Sequence, residues 1–190
     1  MIPFHRKLIL ASQSPRRRQL LQEAGFSFDI CPTDIPEDFP SDMPVDNVAA
    51  YLAQKKAHAA KHRITGSEII LASDSVVILN DRIYNKPADY DEAVDMLQDL
   101  SGNMHRVRTG VCLLAAEKEV VFTGESKVYF EPVSREEIDY YIRLYQPFDK
   151  AGAYGIQEWI GLCKISRIEG TFSNVMGLPV DLVYKALLNF

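Results

Sequence analysis

The sequence has no run of about 18 uninterrupted apolar residues, which excludes a helical membrane span. It has few cysteines: Cys31, Cys112 and Cys163 are odd in number, far apart and without a CxxC pair. That excludes a disulfide framework and points to reduced, mostly buried thiols in a cytoplasmic protein. None of the three stands beside a histidine or at an evident helix start, so a catalytic thiol is the lesser reading. Ahead of Leu8, the stretch Met1 to Lys7 leads into only five apolar or small residues, too short for a signal-peptide core. Basic charge is also short, 21 Lys and Arg against 26 Asp and Glu, a formal −5. Counterion release needs a concentrated basic surface, so general nucleic-acid binding is excluded and any anion site is local. HExxH, the GxSxG elbow, the Walker loop and a GxGxxG with an acidic partner are all missing. His58 and His62 lie four apart on an expected helix, and they read as an exposed face rather than a zinc pair.

What is present is an ordinary soluble composition over 190 residues, 47% hydrophobic and 25% charged. That length reads as one domain, residues 1–190, of two lobes sharing a core, and it buries about 70% of its unfolded surface. Leu8 to Ala11 is an apolar run that reads as a buried strand. Ser14 follows as helix cap, Pro15 as first helical residue and Gly25 as the stop. Phe26 to Ile30 reads as a strand, and residues 32–44 as a Pro- and Asp-rich loop that could serve as a lid. Asp46 is the expected cap of a helix running toward His62. Ile69 to Ala72 is expected to end near Asp74, with Ser75 to Leu79 following and Asn80-Asp81 turning a hairpin. Asp89 with Glu92 and Ser134 with Glu137 have capping-box spacing. Two strands (105–116 and 120–130), a strand near 162–168 and a terminal helix after Pro179 complete an α/β order with antiparallel segments in its second half.

Four segments can carry chemistry. In Ser12-Gln13-Ser14-Pro15-Arg16-Arg17, guanidinium groups crowd the positive end of a helix dipole, a conflict that a bound phosphate removes. A solvated basic first turn is the plain alternative. Asp74 closes an apolar run, where a carboxylate is costly unless it meets a metal, a cation or a proton. It suits a magnesium ligand or a general base on water, or else a turn aspartate. Lys56, Lys86 and Lys150 are the third group, the last two bordering Pro- or Gly-containing loops. The fourth is Gln146 to Gln157, whose Gly152 and Gly155 permit close backbone approach and whose Gln157 suits the edge of a nucleobase. A structural turn is its alternative. Tyr141, Tyr145 and Trp159 read as packing residues.

Taken together, these segments resemble the Maf family of nucleoside triphosphate pyrophosphatases. The matching text is Leu10-Ala11-Ser12-Gln13-Ser14-Pro15-Arg16-Arg17, Ala72-Ser73-Asp74-Ser75-Val76-Val77, Asn85-Lys86-Pro87 and Leu100-Ser101-Gly102. Asp149 to Gln157, Ile168-Glu169-Gly170 and Asn174-Val175-Met176-Gly177-Leu178-Pro179 complete it, in order over essentially the whole chain. The resemblance implies a cytoplasmic, often dimeric α/β enzyme: a mixed twisted sheet with flanking helices, two lobes around a cleft, related in shape to inosine triphosphate pyrophosphatases. It implies cleavage of a nucleotide's α–β phosphoanhydride with a divalent cation, magnesium or manganese. Matched motif by motif, Asp74 is the catalytic acidic residue, the proton acceptor for water, Ser12, Arg16, Arg17, Lys56 and Lys86 surround the phosphates, and Glu37 joins Asp74 on the metal.

The dTTP/UTP branch of the family typically carries Arg, Thr and Gln at its base-discriminating positions; here these are Arg16, Ser75 and Gln157. Serine keeps the hydroxyl and drops a methyl. Glu158-Trp159 also departs, since that branch usually has glycine after the glutamine. The expectation is a metal-dependent dTTP/UTP pyrophosphatase with a nucleotide as partner, neither nucleic acid nor membrane, and a homodimer as assembly. The alternatives are 7-methyl-GTP or modified nucleotides as substrate, or a non-catalytic nucleotide-binding regulator of septum formation.

Overall fold

The computed structural model describes residues 6–190, so Met1 to His5, most of the lead-in to the run read as too short for a signal-peptide core, lie outside the described residues. Three strands come first in space: β1 (Leu8–Leu10), β2 (Phe28–Ile30) and β3 (Ile69–Leu79). β1 pairs parallel with both β2 and β3, Leu10 facing Ile30 on one side and Leu71 on the other. All three β1 residues are buried, as a strand paired on both edges requires. Between β1 and β2 runs α1 (Pro15–Glu23), capped by Ser14, whose Oγ accepts from the Arg17 amide, and Gly25 leaves it at φ 79°.

Between β2 and β3 lies α2 (Val45–Ala59). Its cap is Pro44 and no side chain bonds there; Asp46 sits in the first turn instead, where the helix dipole favours a carboxylate. The expectation of an Asp46 cap is therefore corrected. His62 falls beyond the helix, in a 3-10 turn, so the four-residue histidine spacing has no helical meaning. The buried stripe of α2 is Val48, Ala49, Leu52, Ala53, Lys56 and Ala57, a strict i, i+4 pattern in which one member is a lysine. The small residues let the helix lie close to the sheet: a Cβ on Gly110 would stand 2.2 Å from the Ala49 carbonyl oxygen.

β3 is a single strand of 11 residues, almost all buried, so Asp74 lies at its middle and not at a strand end. Asn80 and Asp81 both take positive φ, 49° and 60°, and turn β3 into the antiparallel β4 (Arg82–Tyr84), the expected hairpin. Next come α3 (Tyr90–Leu100), β5 (Met104–Leu114), β6 (Glu119–Phe130) and α4 (Arg135–Tyr145). At α3 the Asp89 side chain accepts from the Glu92 amide, while Glu92 reaches back one residue further, to the Ala88 amide. The box there is half formed. At α4 both halves form, Ser134 with Glu137. The expected strand from Leu162 begins later: α5 (Trp159–Cys163) precedes β7 (Ile165–Glu169). α6 (Phe172–Met176) and α7 (Val180–Leu188) finish the chain.

Among the described residues the sheet has seven strands in the order β2-β1-β3-β5-β6-β7, with β4 on β3, a mixed sheet with flanking helices. The chain divides into two compact units: residues 1–75, 109–124 and 177–190, and residues 76–108 and 125–176. Cys31 and Cys112 are buried as expected, whereas Cys163 is exposed. No helix among the described residues is long and apolar enough to cross a membrane.

Candidate active site

In the first unit, the chain leaves β1 into Ser12, whose Oγ accepts from the Ser14 amide at 3.2 Å. Arg17, one turn into α1, then spends each guanidinium nitrogen on the protein. Nε donates to the Gly177 carbonyl at 2.8 Å, and the two terminal nitrogens donate to Ser12 Oγ and Ser75 Oγ, both at 3.3 Å. Two of its five N–H hydrogens lie outside these bonds. Ser75 Oγ shares a hydrogen with Thr109 Oγ1 at 2.9 Å, and Ser73 Oγ donates to the same Gly177 carbonyl at 3.2 Å. Burial pulls the Arg17 guanidinium below its ordinary value; the Asp74 charge opposes that, Arg16 adds to it and Glu37 opposes it. Arg16 is half-buried on the same first turn.

Strand alternation sends Ser73 and Ser75 to one face of β3 and Asp74 to the other. Asp74 Oδ1 accepts from the Lys56 ammonium, the lysine on the buried stripe of α2. Glu37 Oε1 accepts from the same ammonium at 2.8 Å. A buried ammonium without a counter-charge would be prohibitively costly, and two carboxylates supply it. Glu37 arrives on the 32–44 loop, which the neighbouring Lys55 grips at the Pro36 carbonyl, 2.9 Å, and at Asp38 Oδ1, 2.6 Å. That grip holds the Asp38 carboxyl below its usual range. Six of the expected residues thus form two linked sets, Ser12 with Arg17 and Ser75, and Glu37 with Lys56 and Asp74.

Lys86 and Gln157 belong to the second unit, where both are exposed. Lys150, in contrast, is buried, with its ammonium 2.6 Å from Asp149 Oδ1 and 3.2 Å from Glu158 Oε1. Glu158 Oε2 accepts from Tyr141 Oη, and Tyr141 Oη accepts from the Gly155 amide at 2.9 Å. Burial, then the Glu158 carboxylate, pushes the Tyr141 phenol far up, so it stays a donor. Tyr141 also stacks on Tyr145, as a packing residue would, but its hydroxyl has this second role. Gly152 takes φ +69°, and a Cβ there would press on Val77 at 3.0 Å.

The model of the family described as Maf-like protein matches residues 7–190. The chain belongs to the Maf family. A dTTP/UTP pyrophosphatase of Cytophaga hutchinsonii is 48% identical to it over 180 residues, 95% of this chain and 82% of the relative. Another of that name, from Porphyromonas gingivalis, is 46% identical over 97% of this chain and 94% of its own. A third, from Parabacteroides distasonis, is 43% identical over 97% and 96%. Among solved structures, a HAM1 protein from Coxiella burnetii superposes with a TM-score of 0.57 at 13% identity, covering 98% of this chain and all of that one. The likeness to the HAM1 protein is one of fold.

Among the described residues of this Maf-family chain, no three His, Cys, Asp or Glu side chains gather into a metal cage. Magnesium does not need one: it takes one or two carboxylates and completes its shell with water and substrate phosphates. Asp74 and Glu37, meeting on one ammonium, fit that donor set. Reading the sequence missed Thr109 and the Tyr141–Glu158 pair. Thr109 carries no local signal, being one polar residue in a strand. Tyr141 and Glu158 are 17 positions apart, so only the fold introduces them.

Proposed function

We propose that this protein hydrolyses nucleoside triphosphates, dTTP and UTP foremost, to the monophosphate and pyrophosphate, clearing surplus nucleotides from the pool. The observation that carries this reading is Asp74, a carboxylate in the middle of a buried strand, held by Lys56 together with Glu37. The names of the three relatives above support the substrates.

In this reading Asp74 Oδ1 is held by Lys56, which leaves Oδ2 to take a proton from water as it attacks the α-phosphorus. The bond from that phosphorus to the bridging oxygen breaks, and pyrophosphate leaves with the electron pair. Ser12, Arg16, Lys56 and Lys86 bind phosphate oxygens. Arg17 adds its two remaining N–H hydrogens while bracing Ser12, Ser75 and Gly177. A divalent cation, magnesium or manganese, held by Asp74 and Glu37, supplies further charge neutralisation when bound. Arg16, Ser75 and Gln157 take part in base choice. The same reading makes the protein a cytoplasmic homodimer whose partner is a nucleotide rather than nucleic acid or membrane.

A nucleotide panel with magnesium or manganese, assayed for pyrophosphate, tests the substrates. Release from dTTP and UTP is expected; release from neither, or from 7-methyl-GTP alone, overturns the choice. Asp74→Asn keeps the shape and removes the charge. Turnover should fall by about 10²–10⁴-fold with nucleotide binding retained, and an active variant would remove Asp74 from its role.

A further inference from the structure

Glu158 stands where the family resemblance leads one to expect glycine, and its surroundings are built for it. Both carboxylate oxygens are engaged, Oε1 by Lys150 at 3.2 Å and Oε2 by Tyr141. The Tyr141 hydroxyl passes the constraint on, accepting from the Gly155 amide. Gly155 and Glu158 also fit each other sterically: a Cβ on Gly155 would lie 2.7 Å from the Glu158 carboxyl carbon, so a larger residue there would push that carboxylate out of its present place. The Glu158 amide closes the loop by donating to the Gly155 carbonyl at 3.1 Å. Gln157 therefore lies between two pinned residues, while its own side chain is exposed. Lys150, itself buried, is in turn tied to the exposed Asp149, so the two ends of segment 149–158 share one network.

We propose that Glu158 is a positioning residue for base recognition: bridging Lys150 and Tyr141, it fixes the backbone from Gly155 to Glu158 and with it the place from which Gln157 meets the nucleobase. This rests on the hydrolase reading above and deepens it. The phosphate chemistry of the first unit does not pass through Glu158, so its loss should appear in the recognition of the base rather than in the bond-breaking step. A purely structural glutamate would lower stability and affect all nucleotides alike.

The test measures kcat and KM for dTTP, UTP and dATP in the full-length protein and in Glu158→Gln, Tyr141→Phe and Glu137→Ala. Glu158→Gln keeps the shape and weakens the Lys150 contact; Tyr141→Phe removes only the hydroxyl between Glu158 and Gly155. Glu137→Ala is the control, losing the α4 capping box and the 2.7 Å pair with Lys164. For the first two variants KM for dTTP and UTP should rise about tenfold, kcat should stay within about threefold, and the preference over dATP should shrink about tenfold. Glu137→Ala should lower the melting temperature without moving that preference. An unchanged preference in both network variants, or an equal loss for all three nucleotides, overturns the proposal. Amide exchange at Gly155 and the NMR shift of Gln157 are read in parallel. If the wild type cleaves none of the nucleotides, the hydrolase reading falls by itself. The network is then decided by these signals: faster exchange with a displaced Gln157 in Glu158→Gln upholds the positioning role, and unchanged signals refute it.

Discussion

Each unit of the molecule buries one lysine between two carboxylates, and the two arrangements differ in what they leave over. In the first unit Lys56 meets Asp74, whose side chain is 8% exposed, and Glu37, 42% exposed. In the second, Lys150 meets Glu158, 15% exposed, and Asp149, 58% exposed. The charges and burial are nearly the same. Yet Glu158 has both oxygens occupied by protein, by Lys150 and Tyr141, whereas Lys56 engages a single oxygen of Asp74. A carboxylate with both oxygens held by protein groups is fixed in place; one with an oxygen to spare can take a proton or a cation there. The carboxylates of Lys56 also come from a distant loop and strand, while those of Lys150 are its sequence neighbours. That difference is what separates a candidate reaction centre from a brace built of the same parts.

The contrast is broken most forcefully from the second unit. Lys150→Met leaves Glu158 buried without its ammonium, at a cost of about 3–5 kcal/mol of unfolding free energy. Asp74→Asn, which leaves Lys56 paired with the half-exposed Glu37, should cost less, about 1.5–2.5 kcal/mol. Denaturant titration of the two variants checks both figures, and equal losses would erase the distinction between brace and reaction centre.

A second, somewhat smaller effect separates the units by pH. His105 is buried in the second unit between Phe130 and Tyr154, its Nε2 2.7 Å from Tyr154 Oη and its Nδ1 without a partner. Burial pulls its pKa from 6.5 down to about 3, so the fold holds the neutral ring. The unfolded chain takes up the proton at its ordinary pKa. The stabilisation is therefore complete above pH 6.5 and is lost as pH falls toward 3, by about 3 kcal/mol between pH 6.5 and 4. His105→Gln, which keeps a hydrogen bond to Tyr154 and takes no proton, should flatten stability over that window. The smallest effect belongs to the first unit: Ser14→Ala removes the α1 cap and should cost about 1 kcal/mol. Thermal unfolding would check it.

Local features were legible wherever their cause is local. The Ser14-Pro15 start of α1, the Asn80-Asp81 hairpin and the Ser134/Glu137 box follow from backbone demands that a few neighbouring residues satisfy. β3 was read as two pieces because Ser73-Asp74-Ser75 interrupts its apolar run, and in a strand buried on both faces such polarity resembles an end. The fold reverses that reading by supplying partners on either face: Gly177, Arg17 and Thr109 for the serines, Lys56 for the aspartate. Cap chemistry failed at Asp46 because Pro44 already begins the helix. α5 was missed because Trp159 to Cys163 is too short and too apolar to show helical periodicity. Lys56 carried the most informative signal, an ammonium on the i, i+4 stripe of an otherwise apolar helix face. Its two carboxylates are 19 and 18 positions away, so their meeting could be expected by resemblance but not computed from spacing.

Arg17 reaches the carbonyl of Gly177, 160 residues further along the chain. While the protein is being synthesised, the first arginine helix can form as soon as it emerges, but its brace must wait until almost the whole polypeptide has left the ribosome. A truncated or still-growing chain would therefore present a helix start without its anchor.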